Sequence, residues 1–428
     1  MHPYCHMKGR HCMVNEYINT LMCPHKTPEE RLSALKALGD PSDCGGNWVN
    51  NHIHTTFSFS PYTPAGAVYY ARKAGLSTAG IMDHDSVGGI DEFIKAGEII
   101  DMPVTVGFEC RTSVKGTPLE GKRLNNPDQI SVAYVTLHGI PHTMIGECEK
   151  VLAPLREKRN ERNRKMCDKI NELVNPFGIN VDFDKDVLTL SKDAEGGSVT
   201  ERHVLYGLTL KIAGDKSREE AINLIDSLCG GIADKVRDKL LTAPDEYYLY
   251  DILGVLKSSL VSKIYVEADE ELMHIKDFCA LAKRVGGIAA YAYLGDVGES
   301  PTGDKAAQKF EDSYIELLFE TLHDIGFDAV TYMPSRNTKE QLERVMSLCE
   351  KHGFFQISGE DINSPRQSFV CPAMEPYTHL YSATWALIGH EKAATANIED
   401  GMFSEKTIKA MPTLSERIKY FENIGKSI

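Results

Sequence analysis

Short apolar segments alternate with amphipathic helices along much of the chain, and this alternation limits the folds that are open to it. Strands joined through helices run parallel with right-handed crossovers, and each unit adds one strand to a helix-covered sheet. Seven such units are present, a number typical of a barrel, so we predict an α/β fold of this kind. The predicted strands cover residues 48–54, 78–82, 103–107, 131–137, 287–293, 329–332 and 354–358.

One stretch in the middle of the chain breaks the alternation. A long charged helix is predicted over residues 148–173, and the next part of the chain is helical and polar without strands. A segment of this kind between barrel units predicts an inserted cap domain over the barrel mouth. The predicted domains are an N-terminal appendage with one helix (1–47), two barrel parts (48–173 and 269–363), the helical cap (174–268) and a C-terminal helical extension (364–428).

Charge and composition narrow the classes of partner. The 428 residues carry a formal net charge of −14, which repels polyanions and argues against a nucleic-acid surface. A small anionic substrate is still allowed, because a bound metal ion reverses the local field. No segment approaches the roughly 18 apolar residues of a membrane helix, and we see no apolar core of a secretory signal. We expect a soluble, cytoplasmic protein that binds neither membranes nor nucleic acid.

Histidine and cysteine are concentrated near the N-terminus. Such side chains bind zinc, but their spacing matches no zinc finger or zinc ribbon, and a loosely ordered tail is the interpretation that we favour. In a reducing compartment the chain's 11 cysteines are expected to be mostly free thiols. The residues of this cluster are His2, Cys5, His6, His11, Cys12, Cys23 and His25.

Titratable side chains end or follow each of the first three predicted strands. His52 and His54 are two residues apart, so both imidazoles point to one side, where they either bind a metal or simply pack. The Asp-His-Asp run at residues 83–85 is costly to bury unless its groups are paired or bound to metal. Glu109 follows the third strand, and taken alone it reads as an exposed loop glutamate.

Two later strands end in the same way, with His138 after the fourth and Asp361 after the last. Five strand ends thus present His, Asp or Glu, and barrel enzymes hold their active sites at the carboxyl-terminal rim of the strands. Mixed imidazole and carboxylate ligands suit Zn, Mn or Fe, and a bridging carboxylate such as Glu109 can hold two ions. The sequence therefore predicts a metal site at this rim.

A series of ordered segments resembles the motifs of the PHP (polymerase and histidinol phosphatase) family. The resemblance implies a distorted (β/α)7 barrel with an inserted mainly helical cap, a rim that binds up to three divalent metal ions, and hydrolysis of phosphate esters. It spans about residues 48–363 and rests on the segments HIHTTFSFSPYTP, IMDHDSVGG, VGFEC, LREKRNERNRKM, VTERHVLYGL, GGIAAYAYLGD and ISGEDIN.

The resemblance also implies which residues hold each ion. A third ion would have His84 as a ligand, and a second would be held by Glu109 and His138. The first ion would be held by His52, His54, Glu109 and Asp361.

Three positions depart from the family pattern, because Phe59 replaces a ligand aspartate while Tyr293 and Asn363 replace ligand histidines. Phenylalanine cannot bind a hard cation and asparagine is a poor substitute for imidazole, so the third site is expected to be empty. One or two divalent ions (Zn, Mn or Fe) are therefore expected. Tyr293 either coordinates the second ion as a phenolate or only donates a hydrogen bond.

The resemblance places Arg202 and His203 where the family grips phosphate, although Arg202 alone reads equally well as a surface arginine. On the long helix Arg156, Arg159 and Arg162 alternate with glutamates, which predicts a solvated ion-pair face. The residues expected to act on the substrate are His84, Asp85, Arg202, His203 and Tyr293.

The function expected from these features is hydrolysis by a metal-activated water, with a small phosphorylated molecule as the substrate of a phosphatase or phosphodiesterase. Two alternatives stay open. The same barrel can carry a hydrolase for esters or amides without phosphate, since the loss of one metal site removes a clamp on phosphate oxygens. The lost ligands also fit a non-catalytic binding protein.

Overall fold

The computed structural model describes residues 14–41, 46–296 and 309–427. The chain has a mixed α/β fold in which one sheet curls into a nearly closed barrel, as the alternation of strands and helices predicted. No helix in these ranges is both long enough and apolar enough to cross a bilayer. Of the N-terminal His and Cys cluster, only Cys23 and His25 lie within the described residues.

Eight strands form the barrel sheet among the described residues. They are β1 (Trp48–Ile53), β2 (Leu76–His84), β3 (Val104–Ser113), β4 (Val132–His138), β5 (Met273–His274), β6 (Ile288–Ala292), β7 (Ala329–Tyr332) and β8 (Phe355–Ser358). The path around the barrel is β1-β2-β3-β4-β6-β7-β8, and β5 pairs with β3 outside it. The segment after β8 completes the circuit, because the His54 N–H donates to the Ile362 carbonyl at 3.0 Å and Ile53 pairs with Ile362.

Strand β4 runs against its neighbours. It pairs antiparallel with both β3 and β6, whereas the other pairs on the path are parallel. The connection over residues 114–131 contains no helix, so the chain turns back directly into β4. The prediction of a parallel strand was wrong here. The end of β4 at His138 lies beside Gly107 and Ile288, deeper in the barrel than the rim where β2 ends.

Helices cover the outside of the barrel, and several of them begin at side-chain caps. Thr27 and Thr338 each form a capping box, and Thr63 accepts a hydrogen bond from the Gly66 amide at 3.1 Å. The helices used below are α1 (Pro28–Leu38), α2 (Pro64–Lys73), α3 (Ile90–Ile99), α4 (Ile145–Val174), α5 (Glu201–Ala213), α6 (Arg218–Cys229), α7 (Asp234–Thr242), α8 (Asp245–Ile264), α9 (Ile275–Val285), α10 (Ile315–Ile325), α11 (Lys339–His352), α12 (Thr378–Ala396), α13 (Glu405–Ala410) and α14 (Leu414–Lys426).

Helices α5 to α8 form a hydrophobic cluster that is separate from the barrel core. Its buried residues come from the second half of α4 and from residues 179–264, with one exception. The exception is Phe59, which reaches this cluster from the segment after β1. Phe59 therefore joins the barrel rim to the helices above it.

Helix α12 closes the opposite end of the barrel. Asn51 of β1 donates to the hydroxyl of Thr384 at 2.8 Å, and the Glu391 carboxylate accepts from the Val106 amide near the start of β3 at 2.8 Å. Leu387 packs into a cluster with residues of β6, β7 and β8. The C-terminal helices thus support the strand starts, on the side away from the predicted metal site.

Candidate metal centre

Strand β1 supplies two of the predicted ligands. His52 and His54 lie on the same side of the strand, with ring centroids 5.1 Å apart, and both side chains are buried. The chain segment that closes the barrel brings Asp361 to them, and its Oδ1 lies 3.2 Å from His54 Nε2. Parallel pairing between Ile53 and Ile362 fixes this approach.

The neighbouring strands β2 and β3 supply two more of the predicted ligands. His84 ends β2 and is paired in register with Glu109 of β3, and His84 Nδ1 lies 3.0 Å from Glu109 Oε2. The same carboxylate oxygen lies 3.9 Å from His52 Nε2. The His84 ring stacks on the His54 ring with centroids 4.6 Å apart. The four side chains and Asp361 therefore face one point.

The donor atoms of this cluster fit a divalent metal ion. The residues form two groups of three, the first with His52, His54 and Asp361 and the second with His54, His84 and Glu109. Within each group, one donor atom of each residue lies within 4.8 Å of the others. Imidazole nitrogens and carboxylate oxygens are the ligands that Zn, Mn and Fe accept. The two groups share His54, so the residues fit one ion or two adjacent ions. His84, which the resemblance implied for a third ion, belongs to this cluster.

His138 faces the barrel interior below the cluster, on the same side of β4 as Tyr134 and opposite to the buried Val135 and Leu137. It belongs to neither group of metal-ligating residues in the described chain. Its Nε2 atom is buried and has no hydrogen-bond partner within the described residues. Burial lowers the pKa of His138 to about 3, so the imidazole is neutral and can bind a cation through a nitrogen lone pair.

Burial also sets the charge state of the cluster. It lowers the pKa of His52, and it lowers that of His84 well below the ordinary value with help from the charges of His54 and Arg159. Burial opposes ionisation of Asp361, but the hydrogen bond and charge of His54 outweigh it and hold that pKa well below the usual range. Burial opposes protonation of His54, but the hydrogen bond and charge of Asp361 outweigh it and raise the pKa of His54. The centre therefore presents neutral His52 and His84 beside the paired His54 and Asp361, and a metal ion that binds has to displace the proton of His54.

Asp85 binds the long helix α4. Its backbone has a positive φ of 48°, which aspartate tolerates, and its carboxylate pairs with the guanidinium of Arg159. Arg159 also pairs with Glu201, the first residue of α5, at 3.1 Å. Asp85 therefore links the rim to α4, and its backbone N–H donates to the carbonyl of Glu109 at 2.7 Å.

The arginines of α4 are buried, so the predicted solvated ion-pair face was wrong. Arg156, Arg159 and Arg162 are 3–7% exposed. Arg162 pairs with Glu271 at 2.7 Å, and Glu271 also pairs with Arg111 of β3. Arg156 pairs with Glu149 of the same helix, but the acidic partners of Arg159 and Arg162 are distant in the sequence, so the pattern within the helix did not reveal them.

Arg202 reaches the centre from α5. Its Nη1 donates to Asn363 Oδ1 at 2.5 Å, and Asn363 Nδ2 donates to Asp361 Oδ1 at 2.5 Å. His203 points elsewhere, since its Nδ1 accepts from the Thr200 amide at 3.0 Å and its ring meets the edge of Phe59. The structure thus brings Arg202 to the metal centre and uses His203 to cap α5.

Tyr293 makes a hydrogen bond outside the cluster. Its hydroxyl donates to Asp312 Oδ1 at 2.5 Å, and Arg344 pairs with the same oxygen at 2.6 Å. Burial and the Asp312 carboxylate both raise the pKa of Tyr293, which favours the neutral phenol over a phenolate. Of the two roles considered for Tyr293, the geometry corresponds to hydrogen bonding.

A cavity of about 180 Å³ opens above the cluster. His52, His84, Glu109 and Asp361 form part of its lining, and a larger cavity of about 780 Å³ continues outward between α8 and the segment after β8. Residues that the sequence analysis did not assign to the site include Arg159, Lys257 and Arg336, which line the inner cavity, and Asn363, which lines both cavities. Arg159 was a visible candidate as a cation of the basic helix, but Lys257 and Arg336 belong to no motif.

Comparison with known proteins gives matches in structure alone. No protein-family model matches the chain, and no curated protein matches it. A crystal structure of a candidate metal-dependent phosphoesterase from Bifidobacterium adolescentis aligns with a TM-score of 0.50 and 19% identity, over 78% of this chain and 96% of that chain. An amidohydrolase from Chromobacterium violaceum with bound sulfate and no metal aligns with a TM-score of 0.49 and 17% identity, over 78% and 97%. The chain therefore shares the overall fold of the Bifidobacterium protein.

Proposed function

We propose that the protein is a metal-dependent hydrolase that acts on the phosphate ester of a small phosphorylated molecule. The observation that carries this proposal is the convergence of three imidazoles and two carboxylates, from positions 52 to 361, on the floor of one cavity. Burying so many titratable groups together is costly unless a cation compensates for it. The ordered PHP-like motifs support the same reaction class.

Cationic side chains on the cavity wall support an anionic substrate, and the acidic side chains that also line the inner cavity include Glu109 and Asp361 of the candidate metal centre. Arg202, Lys257 and Arg336 all line the inner cavity and also extend into the outer one. These cations stand out because the whole chain has a net charge of −14. Guanidinium groups bind phosphate oxygens with two parallel hydrogen bonds, so the pair of arginines fits a phosphate better than a neutral group.

The residues of the centre have different roles in the proposed reaction. His52, His54, His84, Glu109 and Asp361 would hold the metal, which when bound supplies an acidified water and a positive charge near the scissile bond. Arg202 holds the substrate anion, and its bond to Asn363 fixes its direction. Phe59 and Leu205 limit access of bulk water, since both line the inner cavity with apolar atoms.

The test combines metal analysis with an activity assay. Purified protein is expected to contain Zn, Mn or Fe and to release phosphate from p-nitrophenyl phosphate or bis-p-nitrophenyl phosphate. Glu109→Gln should lose most of the activity and most of the metal, because it removes a carboxylate within 3.0 Å of His84. The control Glu120→Gln changes an exposed glutamate whose side chain accepts a hydrogen bond from the Gly116 amide, and it should keep both the activity and the metal. Native protein without tightly bound metal would count decisively against the proposal.

A second candidate is a hydrolase for esters or amides without phosphate. The observation that favours it is the apolar side of the inner cavity, formed by Phe59, Leu205 and Val261. Phe59 stands where the PHP-like pattern has a metal-binding aspartate, so the wall has changed from charged to apolar. A metal-dependent rate on carboxylic esters or acetylated amines, with none on phosphoesters, would select this candidate.

A further inference from the structure

We propose that Asn363 is a positioning residue whose amide orients a metal-ligating carboxylate and the substrate-binding guanidinium together. The inference rests on the proposed function, because it takes Asp361 as a metal ligand and Arg202 as the anion-binding group. Asn363 stands where the PHP-like pattern has a histidine ligand, so its role in this chain has to come from its own contacts.

Those contacts form one continuous chain. Arg202 Nη1 donates to Asn363 Oδ1 at 2.5 Å, and Asn363 Nδ2 donates to Asp361 Oδ1 at 2.5 Å. The same Asp361 oxygen lies 3.2 Å from His54 Nε2. Asn363 is 6% exposed, so water competes little for these hydrogen bonds. The four side chains therefore connect α5 of the cap with β1 of the barrel.

The side-chain amide of Asn363 has the donor and the acceptor that a position between Arg202 and Asp361 requires. A guanidinium only donates and an ionised carboxylate only accepts, so the Asn363 side chain fits in one orientation, with its oxygen toward Arg202. The backbone is held as well, because the backbone N–H of Asn363 donates to Gln367 Oε1 at 2.7 Å and the backbone N–H of Ile362 donates to the His52 carbonyl at 3.2 Å. An apolar side chain of similar size would fill the space and break both links.

The first experiment measures binding of Mn²⁺ alone by competition with a chromophoric chelator. Asn363→Leu should weaken Mn²⁺ binding about 10-fold to 100-fold, the usual effect of losing a group that orients a metal ligand. Arg202→Leu should change it by no more than about twofold, since Arg202 does not touch Asp361. The control Asn223→Leu removes an amide that accepts from Arg237 at 2.9 Å on an exposed face of α6, and it should bind Mn²⁺ like wild type.

The second experiment measures binding of inorganic phosphate to the Mn²⁺-loaded protein. Arg202→Leu and Asn363→Leu should each weaken it, and the double variant should be no weaker than Arg202→Leu alone, because Asn363 acts on phosphate through Arg202. A residue that only supports the fold would give additive losses. If circular dichroism shows that Asn363→Leu is unfolded, Asn363→Ala takes its place in the same comparisons.

Two results would overturn the inference while leaving the proposed function intact: wild-type Mn²⁺ affinity in folded Asn363→Leu, or additive losses of phosphate affinity. If wild-type protein binds no metal, the proposed function fails instead. Thermal unfolding of metal-free protein then decides the inference. The Arg202→Leu and Asn363→Leu effects on unfolding free energy should be non-additive because the two side chains share a hydrogen bond, and additive effects would refute the coupling.

Discussion

Phe59 lies in the second hydrophobic cluster, at a position where the PHP-like pattern has a metal-binding aspartate. Its side chain is 6% exposed and meets the rings of His203, Tyr206 and Tyr250 at centroid distances of 5.0 to 5.9 Å. We expect Phe59→Asp to destabilise the protein by more than about 3 kcal/mol, because it removes a buried ring and leaves an unpaired carboxylate. Urea denaturation measures this change.

The matched control is Phe177→Asp, since Phe177 is 40% exposed and its replacement should cost less than about 0.5 kcal/mol. The same variants test the third metal site. If Phe59→Asp is as stable as wild type and binds an additional metal ion, then Phe59 is not a core residue and the site was only blocked by its side chain.

His142 makes a pH-dependent contribution at the closed end of the barrel. Its Nε2 lies 2.8 Å from Glu391, and this hydrogen bond and charge raise the pKa of His142 above its ordinary value of 6.5. A raised pKa in the folded state gives stability that is present below the unfolded pKa and is lost as pH rises through the folded value. Wild type should therefore exceed His142→Gln in unfolding free energy at about pH 6 and lose this advantage by about pH 9.

The control for this pH series is His323→Gln, which changes a histidine that is 60% exposed and lies 3.6 Å from Asp324 at the surface. Because exposed ion pairs contribute little, its stability difference from wild type at about pH 6 should be smaller than that of His142→Gln. A His142→Gln difference that is equally large at both pH values would show that the side chain acts by packing and not by charge.

At the scale of elements, helix α4 is tied to its neighbours by buried ion pairs. Glu271, which lies just before β5, pairs with Arg162 of α4 and Arg111 of β3. Glu271→Gln should lower the unfolding free energy by about 3 kcal/mol, because the two buried guanidinium groups would then have to share the carboxylate of Glu201. Its neighbour Glu270 is 72% exposed and pairs with Lys158 at 3.3 Å, so Glu270→Gln should change stability by less than about 0.5 kcal/mol. Equal effects in chemical denaturation would contradict the role of this network.

The elements also show what the sequence could and could not predict. His52, His54 and His84 were predictable because they lie at or next to the ends of parallel strands, and parallel strand ends meet at one rim. Glu109 follows the predicted third strand but lies within the longer β3, level with His84. The direction of β4 was predicted wrongly, because it depends on the connection at residues 114–131, which contains no helix, while the role of His138 as a metal ligand stays a prediction.

Pairings between distant segments could not be predicted from local pattern. Arg202 and Asn363 are separated by 161 positions, and Arg162 and Glu271 by 109. A helical pattern shows which residues share a face, but the choice of the buried face depends on partners that the pattern does not contain. For this reason the arginines of α4 were assigned to the surface.

At the scale of the whole molecule, the metal centre joins both parts of the barrel. Its ligands come from residues 52–109 and from residue 361, on either side of the helices that form the second hydrophobic cluster. An ion that binds only the folded barrel stabilises it by about 2.7 kcal/mol at 100 times its Kd. Mn²⁺ or Zn²⁺ should therefore raise the Tm of chelator-treated wild type.

Removing a shared ligand separates specific binding from general effects of the ion. His54 belongs to both metal-ligating groups, so His54→Ala should show little or no rise in Tm with the same ions. His323→Gln, which lacks only an exposed histidine, should show the full wild-type rise. A Tm for wild type that is identical with chelator and with excess ion would mean that the five side chains meet without binding a cation, and the hydrolase proposal would fail with them.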